Sequence, residues 1–267
     1  MGMQGTDTVG PAADGPLASP PFDWHRRDGG SRVVLACEHA THFIPPAYAG
    51  LGLSDAEQRR HIGWDLGAAP LARALSDALD APLLLATYSR LLRDLNRAAD
   101  ADDAVTTRSE GTDIPGNLAL DQAERARREA RIYAPFHAQL DAALDARIAA
   151  GVAPVLVTVH SFTPTWHGTP RPWHAGVISR HDRRMADVFL ATLGRDPTLC
   201  LGDNLPYGSE GGTFHTMTRH GEARGIPGAV FEVRQDLLAD TAGIAEWATR
   251  LRTVIEAFLH QYRETEA

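Results

Sequence analysis

Residues 154–162 read Pro-Val-Leu-Val-Thr-Val-His-Ser-Phe, and we expect the fold to be organised around this stretch. The apolar, mostly β-branched run over residues 155–159 is typical of a strand buried on both faces of a parallel sheet. The run ends at His160 and Ser161, and ligands of open α/β sheets bind outside the carboxyl ends of the strands. A histidine placed there can coordinate a metal ion or transfer protons, and the alternative is a structural histidine that caps the strand end.

Similar short apolar segments recur along the chain and alternate with helical patterns. This alternation predicts an α/β fold of three α/β/α layers, in which a mostly parallel (mixed) central sheet carries helices on both faces. The other predicted strands are Arg32–Cys37, Pro82–Tyr88, Ala175–Ser179, Leu199–Gly202 and Gly228–Val233. The first predicted helix begins at a capping box formed by Ser54 and Glu57 and runs towards His61, and the second carries the apolar residues Leu71, Leu75 and Leu79. A third covers residues 121–149, with an apolar stripe of Phe136, Leu140, Leu144 and Ile148. The remaining predicted helices are Asp182–Leu193, Thr213–His220 and Thr241–Tyr262.

Length, composition and charge exclude several classes of protein. The chain has 267 residues, of which 43% are hydrophobic, and this suits one large α/β domain or two small ones. A formal net charge of −8 lacks the electrostatic footprint of a nucleic-acid binder. Because no apolar run approaches the ~20 residues of a membrane span, we predict neither a nucleic-acid partner nor a membrane-inserted segment.

The cysteines and the N-terminal segment bear on the compartment. Cys37 and Cys200 are the only cysteines, so a structural disulfide framework is not expected and a reducing compartment is the default. The N-terminus lacks the basic and apolar pattern of a signal peptide, and we expect a cytoplasmic protein. Residues 1–22, rich in Gly, Pro and Ala, are expected to be a disordered or loosely attached tail.

Potential metal ligands follow the first predicted strand. Glu38, His39 and His42 crowd its end, and Zn²⁺ binds imidazole nitrogen and carboxylate oxygen at about 2 Å. The composition of this loop predicts metal binding, against the alternative of a polar loop with incidental histidines. Asp65 precedes the helix that carries Leu71. It is either a cap or first-turn carboxylate of that helix or the carboxylate ligand of a site with two histidines.

Arginines follow the predicted strand 82–88. Arg90 and the pair Asn96-Arg97 lie in a segment interleaved with leucines. The guanidinium group is suited to holding a carboxylate with two parallel hydrogen bonds, whereas the alternative is a set of solvated surface arginines. The segment therefore predicts a place where an anionic substrate is held.

Three further segments add candidate residues. Residues 98–120 have no periodic pattern, and such long loops are often functional lids. A turn over residues 204–208 would present Asn204 and Tyr207. The last predicted strand carries Glu232 and leads into Arg234. A glutamate inside an apolar strand is costly unless it is paired or functional.

These residues together indicate a hydrolytic chemistry. His39 and His160 with one carboxylate match the zinc sites of hydrolases, which keep a fourth position open. A separate glutamate such as Glu232 can accept a proton from water, and an arginine can hold an anionic substrate in register. The sequence has no P-loop, no Gly-rich dinucleotide fingerprint and no Gly-x-Ser-x-Gly elbow.

Six motifs in order resemble those of N-formylglutamate amidohydrolases. They are Cys-Glu-His-Ala (37–40), Gly-Trp-Asp-Leu-Gly (63–67), Tyr-Ser-Arg-Leu-(x)2-Asp-Leu-Asn-Arg (88–97), Val-His-Ser-Phe (159–162), Asn-(x)-Pro-Tyr (204–207) and Phe-Glu-Val-Arg-Gln-Asp-Leu (231–237). The likeness runs from about Val33 to the final helix. That family is similar in turn to the zinc carboxypeptidase and aspartoacylase group. The resemblance implies a phosphorylase/hydrolase-like fold, a single zinc-hydrolase-like catalytic domain over residues 23–267 and one Zn²⁺ per chain.

The resemblance also implies roles for individual residues. His39 and His160 resemble the two metal histidines. The zinc carboxypeptidases take their metal carboxylate from His-x-x-Glu, but His42 stands at that place here, so Asp65 is the preferred third ligand, with His42 and Glu38 behind it. Asn96-Arg97 resembles the substrate-carboxylate grip of the aspartoacylase group, and Asn204, Tyr207 and Arg234 are further substrate-binding candidates. Glu232 matches the catalytic glutamate.

The implied reaction is hydrolysis of the amide bond of a small substrate that carries a carboxylate, such as N-formylglutamate. Glu232 would accept a proton from the attacking water and deliver it to the leaving amine, while Arg90 would help to stabilise the oxyanion. Two other interpretations stay open. The protein could be a non-catalytic metal- or ligand-binding module, or a deacylase or peptidase of the same fold with another N-acyl amino acid or peptide as substrate.

Overall fold

The computed structural model describes residues 17–209 and 212–266, and a seven-stranded sheet forms its centre. The strands of this sheet are labelled in chain order: β1 Phe22–His25, β2 Val33–Cys37, β3 Leu83–Ala86, β4 Val155–Phe162, β5 Ala175–Ile178, β6 Leu201–Asp203 and β7 Gly228–Arg234. All five residues of β2 and all eight of β4 are buried, as expected for strands covered on both faces.

The sheet is mixed, with four parallel strands in its middle. Its order is β1-β3-β2-β4-β7-β5-β6. Strands β3, β2, β4 and β7 run parallel to one another, whereas β1 pairs antiparallel with β3, and β5 pairs antiparallel with β7. The carboxyl ends of the four middle strands therefore meet at one edge of the sheet.

Helices cover both faces and give three layers. They are α1 Asp55–Gln58, α2 Ala68–Leu79, α3 Gln122–Arg128, α4 Ala134–Ala149, α5 Arg184–Leu193 and α6 Thr241–Glu266. A π-helical turn, Glu129–Tyr133, joins α3 to α4, and a second one covers Met217–Gly221; the 3₁₀ segments are Pro46–Gly52, Pro115–Asn117, Glu222–Arg224 and Gln235–Leu238. Two-residue hairpins pair Arg108–Ser109 with Thr112–Asp113 and Thr165–Trp166 with Thr169–Pro170.

Alternating side chains of each strand feed two separate cores. On one face, Leu35 and Val157 pack with Leu75 of α2 and Leu251 of α6. On the other face, the neighbouring side chains, such as Leu156, pack with the apolar side of α4. The predicted three-layer α/β fold is thus confirmed, because the period of two along each strand sends apolar side chains to both helix layers.

Several predicted elements differ in detail from the structure. The predicted strand Leu199–Gly202 begins two residues later, because a turn at Asp196 accepts hydrogen bonds from Thr198 and Leu199. The predicted apolar stripe of α4 fails at Ile148, which is 50% exposed. At 3.6 residues per turn, a position twelve residues after Phe136 lies roughly 120° away on the helix. Strand β4 also continues through Phe162 instead of ending at His160.

The described part of the predicted tail packs against the β1–β3 edge. Leu17 is buried in the second core, the Tyr88 hydroxyl donates to the Ser19 carbonyl, and the Thr87 hydroxyl donates to the Pro20 carbonyl. Residues 1–16 of that tail lie outside the described residues. In the part of the chain that the structure covers, no helix combines the length and the apolar character needed to cross a membrane.

Candidate active site

The site lies where the four parallel strands end. His39 follows β2 by two residues, and His160 and Glu232 are paired across neighbouring strands β4 and β7. Asp65 precedes α2, and its backbone N–H donates to the carbonyl of His39 at 2.9 Å. The parallel arrangement thus brings residues that are up to 193 positions apart in sequence, from His39 to Glu232, to one point of the sheet edge.

Asp65 is not the cap of α2. The N-cap position is Gly67, which has a φ of 78° and stands so close to Leu238 that a Cβ atom would lie 2.4 Å from the Leu238 Cβ. Only glycine fits this left-handed, crowded position. The Ser161 side chain donates to the Leu66 carbonyl at 2.7 Å, so the loop is tied to β4 and the Asp65 carboxylate points at the two histidines.

His39, Asp65 and His160 form a compact group of potential metal ligands. The Asp65 Oδ2 atom lies 2.8 Å from His160 Nδ1 and 3.3 Å from His39 Nδ1, and the ligand atoms of all three residues lie within 4.8 Å of one another. All three side chains are buried. Two imidazole nitrogens and one carboxylate oxygen are a donor set that suits a divalent metal ion such as zinc.

Each histidine presents its other ring nitrogen to a carboxylate. His39 Nε2 lies 2.7 Å from Asp94 Oδ1, and His160 Nε2 lies 3.2 Å from Glu38 Oε2. Metal-binding histidines usually contact a carboxylate, carbonyl or water through the second nitrogen, which fixes the tautomer and the ring orientation. Both Nδ1 atoms therefore remain directed at the place where a metal ion would bind.

The electrostatics of this group suit a cation. Burial by itself lowers the pKa of His160, but Glu38 and Asp65 outweigh it and raise that pKa well above its ordinary value. Burial likewise raises the pKa of Asp65, yet His39 and His160 lower it well below its ordinary value. Without a metal ion, positive charge is favoured on the His160 imidazole, which lies between Glu38 and Asp65. A metal ion would take over that charge and release protons.

Glu232 is buried beside the group and keeps one oxygen without a partner. Burial is the main cause that raises its pKa to about 8, Asp65 adds to the effect, and His160 opposes it. Its Oε2 atom is buried without a hydrogen-bond partner among the described residues. A carboxyl group whose pKa lies near neutrality can both accept and donate a proton at physiological pH.

Arg90 lies next to the same cluster. Its Nε and Nη2 atoms donate to Asp94 Oδ2 at 3.1 and 2.7 Å, and Nη1 lies 3.5 Å from Asp65 Oδ1. Burial by itself lowers the pKa of Arg90, but Asp94 and Asp65 raise it above its ordinary value. The guanidinium group is thus held rigidly over the carboxylates at the edge of the cavity.

The segment that carries Asn96 and Arg97 is a series of turns. The Asn96 amide donates to the Thr213 carbonyl at 2.9 Å and accepts from the Thr216 N–H at 3.0 Å, so both of its ends hold the backbone of a neighbouring segment. The Arg97 Nε atom donates to Asp103 at 2.6 Å, and Asp103 is 55% exposed.

A cavity of about 360 Å³ opens onto the metal-ligand group, a size that fits a small molecule. His39, Asp65, His160 and Glu232 form its inner end. The long loop predicted over residues 98–120 supplies one wall. The loop residues that line the cavity are Asp103, Thr106, Arg108, Ser109 and Glu110.

Four predicted residues do not line this cavity, and one of them is Glu38, whose Oε2 atom lies 3.2 Å from His160 Nε2. The His42 ring packs on Trp64, with 5.0 Å between ring centroids, and is not part of the metal-ligand group. Asn204 accepts a hydrogen bond from the Ser179 N–H and stabilises the turn after β6. Arg234 is paired with Asp236 at 2.8 Å. These side chains are engaged in local structure. Tyr207, in contrast, lines the cavity.

Sequence reasoning missed two features of the site. His61 lines the cavity, and its Nδ1 atom lies 3.7 Å from Asp65 Oδ1 in the turns that join α1 to α2; no regular pattern in the sequence indicates this contact. Burial lowers the pKa of His61 to about 4, so the ring is neutral. The second feature is a buried chain from Asp141 through His220 and His137 to the Leu95 carbonyl, with successive distances of 2.8, 2.7 and 3.0 Å. It supports the loop that carries Asp94.

Comparisons with known proteins agree with this geometry. The model of the N-formylglutamate amidohydrolase family matches residues 31–239. The structure of the gene product Atu2144 from Agrobacterium tumefaciens is 37% identical in sequence and has a TM-score of 0.89, over 92% of this chain and 97% of that one. N-formylglutamate amidohydrolase from Ralstonia eutropha JMP134 shares the fold at 22% identity, with a TM-score of 0.68 over 92% of this chain and 100% of that one. A comparison with curated proteins gives no significant match.

Proposed function

Because the chain belongs to the N-formylglutamate amidohydrolase family, we propose that residues 23–267 form one catalytic domain that hydrolyses the amide bond of N-formylglutamate or a related N-acyl amino acid with one zinc ion. The observation that carries the proposal is the position of Glu232, which is buried beside the His39–Asp65–His160 group at the inner end of a cavity. A metal-ligand group and an adjacent proton acceptor are the two elements that amide hydrolysis with water requires.

His39, Asp65 and His160 would hold the metal ion. A zinc ion bound there supplies Lewis acidity, which activates water and polarises the substrate carbonyl. The carboxylates of Asp94 and Glu38 keep the two imidazole rings in the orientation that this requires. We infer zinc from the mixed nitrogen and oxygen donor set, which is common in hydrolytic zinc sites.

Glu232 moves the proton. Its carboxylate accepts a proton from water as the oxygen attacks the formyl or acyl carbon. The protonated Glu232 then donates to the amine nitrogen as the C–N bond breaks, giving formate, or another acid, and a free amino acid. Zinc beside Glu232 would lower its metal-free pKa of about 8 and so favour the carboxylate form, which accepts the proton. Arg90, fixed by Asp94, supplies positive charge for the oxyanion.

Arg97 is our candidate for the α-carboxylate of the substrate. It lines the cavity, and its partner Asp103 lies in the exposed part of the 98–120 loop, where water weakens the ion pair. A substrate carboxylate can therefore compete for the guanidinium group. Asn96 fixes the neighbouring backbone and so keeps the Arg97 backbone in place.

A non-catalytic binding module is less consistent with the site. A pure metal binder has no need for a buried carboxyl group with an unpaired oxygen, because such a group destabilises the fold. A deacylase or peptidase with another carboxylate-bearing substrate uses the same residues. Only the substrate distinguishes it from a formylglutamate hydrolase.

The test combines metal analysis with a substrate panel. Purified wild type is expected to contain about one zinc ion per chain and to release amine from N-formyl-L-glutamate faster than from the N-acetyl, N-succinyl and dipeptide analogues. His160→Ala should lose both the metal and the activity. Phe43→Ala, at an exposed position on the surface, is the matched control and should retain both. Full zinc occupancy in a His39→Ala, His160→Ala double variant would show that the metal site is wrong.

A further inference from the structure

Arg171 is a buried arginine that makes no ion pair with any acidic side chain among the described residues. The described residues also bury Arg93 and Arg128, but Arg93 is paired with Glu129 at 2.7 Å and Arg128 with Glu124 at 2.8 Å. Arg171 is 8% exposed, and in the part of the chain that the structure covers its Nη1 atom donates to the hydroxyl groups of Thr163 and Tyr207, at 3.2 and 3.4 Å. A buried charge without a counter-charge costs stability, so its retention calls for another explanation.

Aromatic rings hold this guanidinium group in a fixed place. The Arg171 Cζ atom lies 4.9 Å from the ring centroids of both Trp166 and Tyr207, and 5.9 Å from that of Phe162. Stacking on aromatic faces stabilises the cation and leaves the edge of the guanidinium plane free for hydrogen bonds. Its Nε and Nη2 atoms have no hydrogen-bond partner among the described residues. Neither atom is fully buried.

This group stands beside the cavity of the candidate active site. Trp166 and Tyr207, the two rings closest to it, both line the cavity, and so does Glu232. The positive charge of Arg171 is near enough to oppose the rise of the Glu232 pKa. Arg171 does not itself line the cavity but lies directly behind the Trp166 and Tyr207 rings that do, on the β4–β5 connection.

The other cations of the cavity already have carboxylates. Arg90 is paired with Asp94 and approaches Asp65, and Arg97 is paired with Asp103. Arg108 is paired with Asp113 at 3.2 Å. Among the described arginines around this cavity, Arg171 is the one that makes no ion-pair contact, although Glu232 lies within electrostatic range, and an anionic group of a ligand would supply such a contact.

We propose that Arg171, held between Trp166 and Tyr207, binds a second carboxylate of the substrate, namely the carboxylate of the amino-acid side chain, and so selects N-acyl derivatives of dicarboxylic amino acids. The inference rests on the proposed function, in which Arg97 takes the α-carboxylate. Two carboxylates on one small substrate then have one arginine each. A substrate with a neutral side chain would leave the Arg171 charge without a partner. Sites with buried polar groups discriminate strongly against substrates that leave those groups unpaired.

The first arm of the test compares N-formyl-L-glutamate with N-formyl-L-glutamine, which differ only in the side-chain carboxylate. Wild type should prefer the glutamate derivative in kcat/KM by on the order of 10–100-fold, the range expected for hydrogen bonds to a charged group. In Arg171→Met this ratio should fall towards one, mainly through KM, and Arg171→Lys should recover part of it. A ratio that stays at the wild-type value in Arg171→Met would overturn the assignment.

Arg97→Met is the matched control, because it should weaken both substrates by a similar factor and leave their ratio intact. Circular dichroism and the thermal midpoint establish that each variant is folded. Should Arg171→Met not fold, competitive inhibition of wild type by L-glutamate and L-glutamine decides the matter: stronger inhibition by L-glutamate supports the inference, and equal inhibition contradicts it.

A binding measurement separates this inference from the proposed function. If wild type hydrolysed neither formyl substrate, the proposed reaction would be wrong, but calorimetric titration of wild type with L-glutamate and L-glutamine would still test Arg171. Tighter binding of L-glutamate that Arg171→Met abolishes supports a carboxylate site. Equal affinities for the two amino acids, or no binding of either, contradict it.

Discussion

Glu232 makes the stability of the metal-free protein fall as the pH rises, and Glu232→Gln should remove that dependence. The carboxyl group has an ordinary pKa of 4.5 and, chiefly because of burial, a pKa of about 8 in the folded chain. The folded state therefore holds a proton on Glu232 that the unfolded state has already lost. The folded state binds more protons across this window, so the free energy of unfolding falls as the pH rises from about 4.5 to about 8.

The two pKa values set the size of the effect. The difference between 4.5 and about 8, at 1.36 kcal/mol for each pKa unit, corresponds to about 5 kcal/mol when the window has been crossed completely. Between pH 5 and pH 9 wild type should lose about 4 kcal/mol from this source. Glu232→Gln has nothing to ionise and should not show this loss.

The assay is urea unfolding in the presence of a chelator, measured at each pH unit from 5 to 9 for both proteins. Glu256→Gln, at a half-exposed position on α6, is the control and should follow wild type. Added zinc should flatten the wild-type curve, because a cation beside Glu232 lowers its pKa. If wild type and Glu232→Gln lose stability in parallel from pH 5 to 9, then Glu232 is not held protonated by burial, and its assignment as the proton acceptor loses its physical basis.

Three further substitutions test other parts of the structure. Asp65→Ala should weaken zinc affinity far more than His42→Ala, as measured by competition with a chromophoric chelator, because only Asp65 belongs to the ligand group; the reverse order would move the ligand to the first loop. Arg97→Lys keeps the charge but loses the forked geometry, so steady-state kinetics should show a higher KM and a weaker preference for α-acids over α-amides. Leu75→Ala removes a fully buried side chain and should lower the free energy of unfolding by about 2–5 kcal/mol, whereas the same change at exposed Leu118 should alter it by less than about 0.5 kcal/mol.

The strands and the inner end of the site could be predicted because their pattern is local. Buried runs such as residues 155–159 indicate parallel strands, and the parallel arrangement fixes which ends meet. His160 and Glu232 were therefore expected at one edge, and the structure pairs them across β4 and β7. For Asp65, which precedes a helix, the sequence left two interpretations, a helix cap or first-turn carboxylate and a metal ligand. The structure excludes the helix cap, because Gly67, in a left-handed conformation, is the N-cap residue of α2.

The roles of the arginines and of the outer carboxylates could not be predicted, because they depend on which side chains meet after folding. The sequence shows that Arg97 and Arg171 are present but not that one faces Asp103 and the other faces aromatic rings. Glu38 was considered as a metal ligand, yet it faces the far nitrogen of His160. A shift of one residue in the register of a strand would turn such a side chain to the other face of the sheet. No local sequence pattern indicates which side chains then meet.

The central claim is that zinc-loaded protein with Glu232 in place hydrolyses N-formyl-L-glutamate. The direct measurement is the joint quantification of formate, glutamate and bound zinc for wild type and Glu232→Gln under identical conditions. Wild type should produce formate and glutamate in equal amounts, stop after chelation and resume when zinc is added. Glu232→Gln should retain zinc but lose about 10²-fold or more of kcat. Zinc-loaded wild type that releases no formate, or Glu232→Gln with near-normal kcat, would contradict the claim.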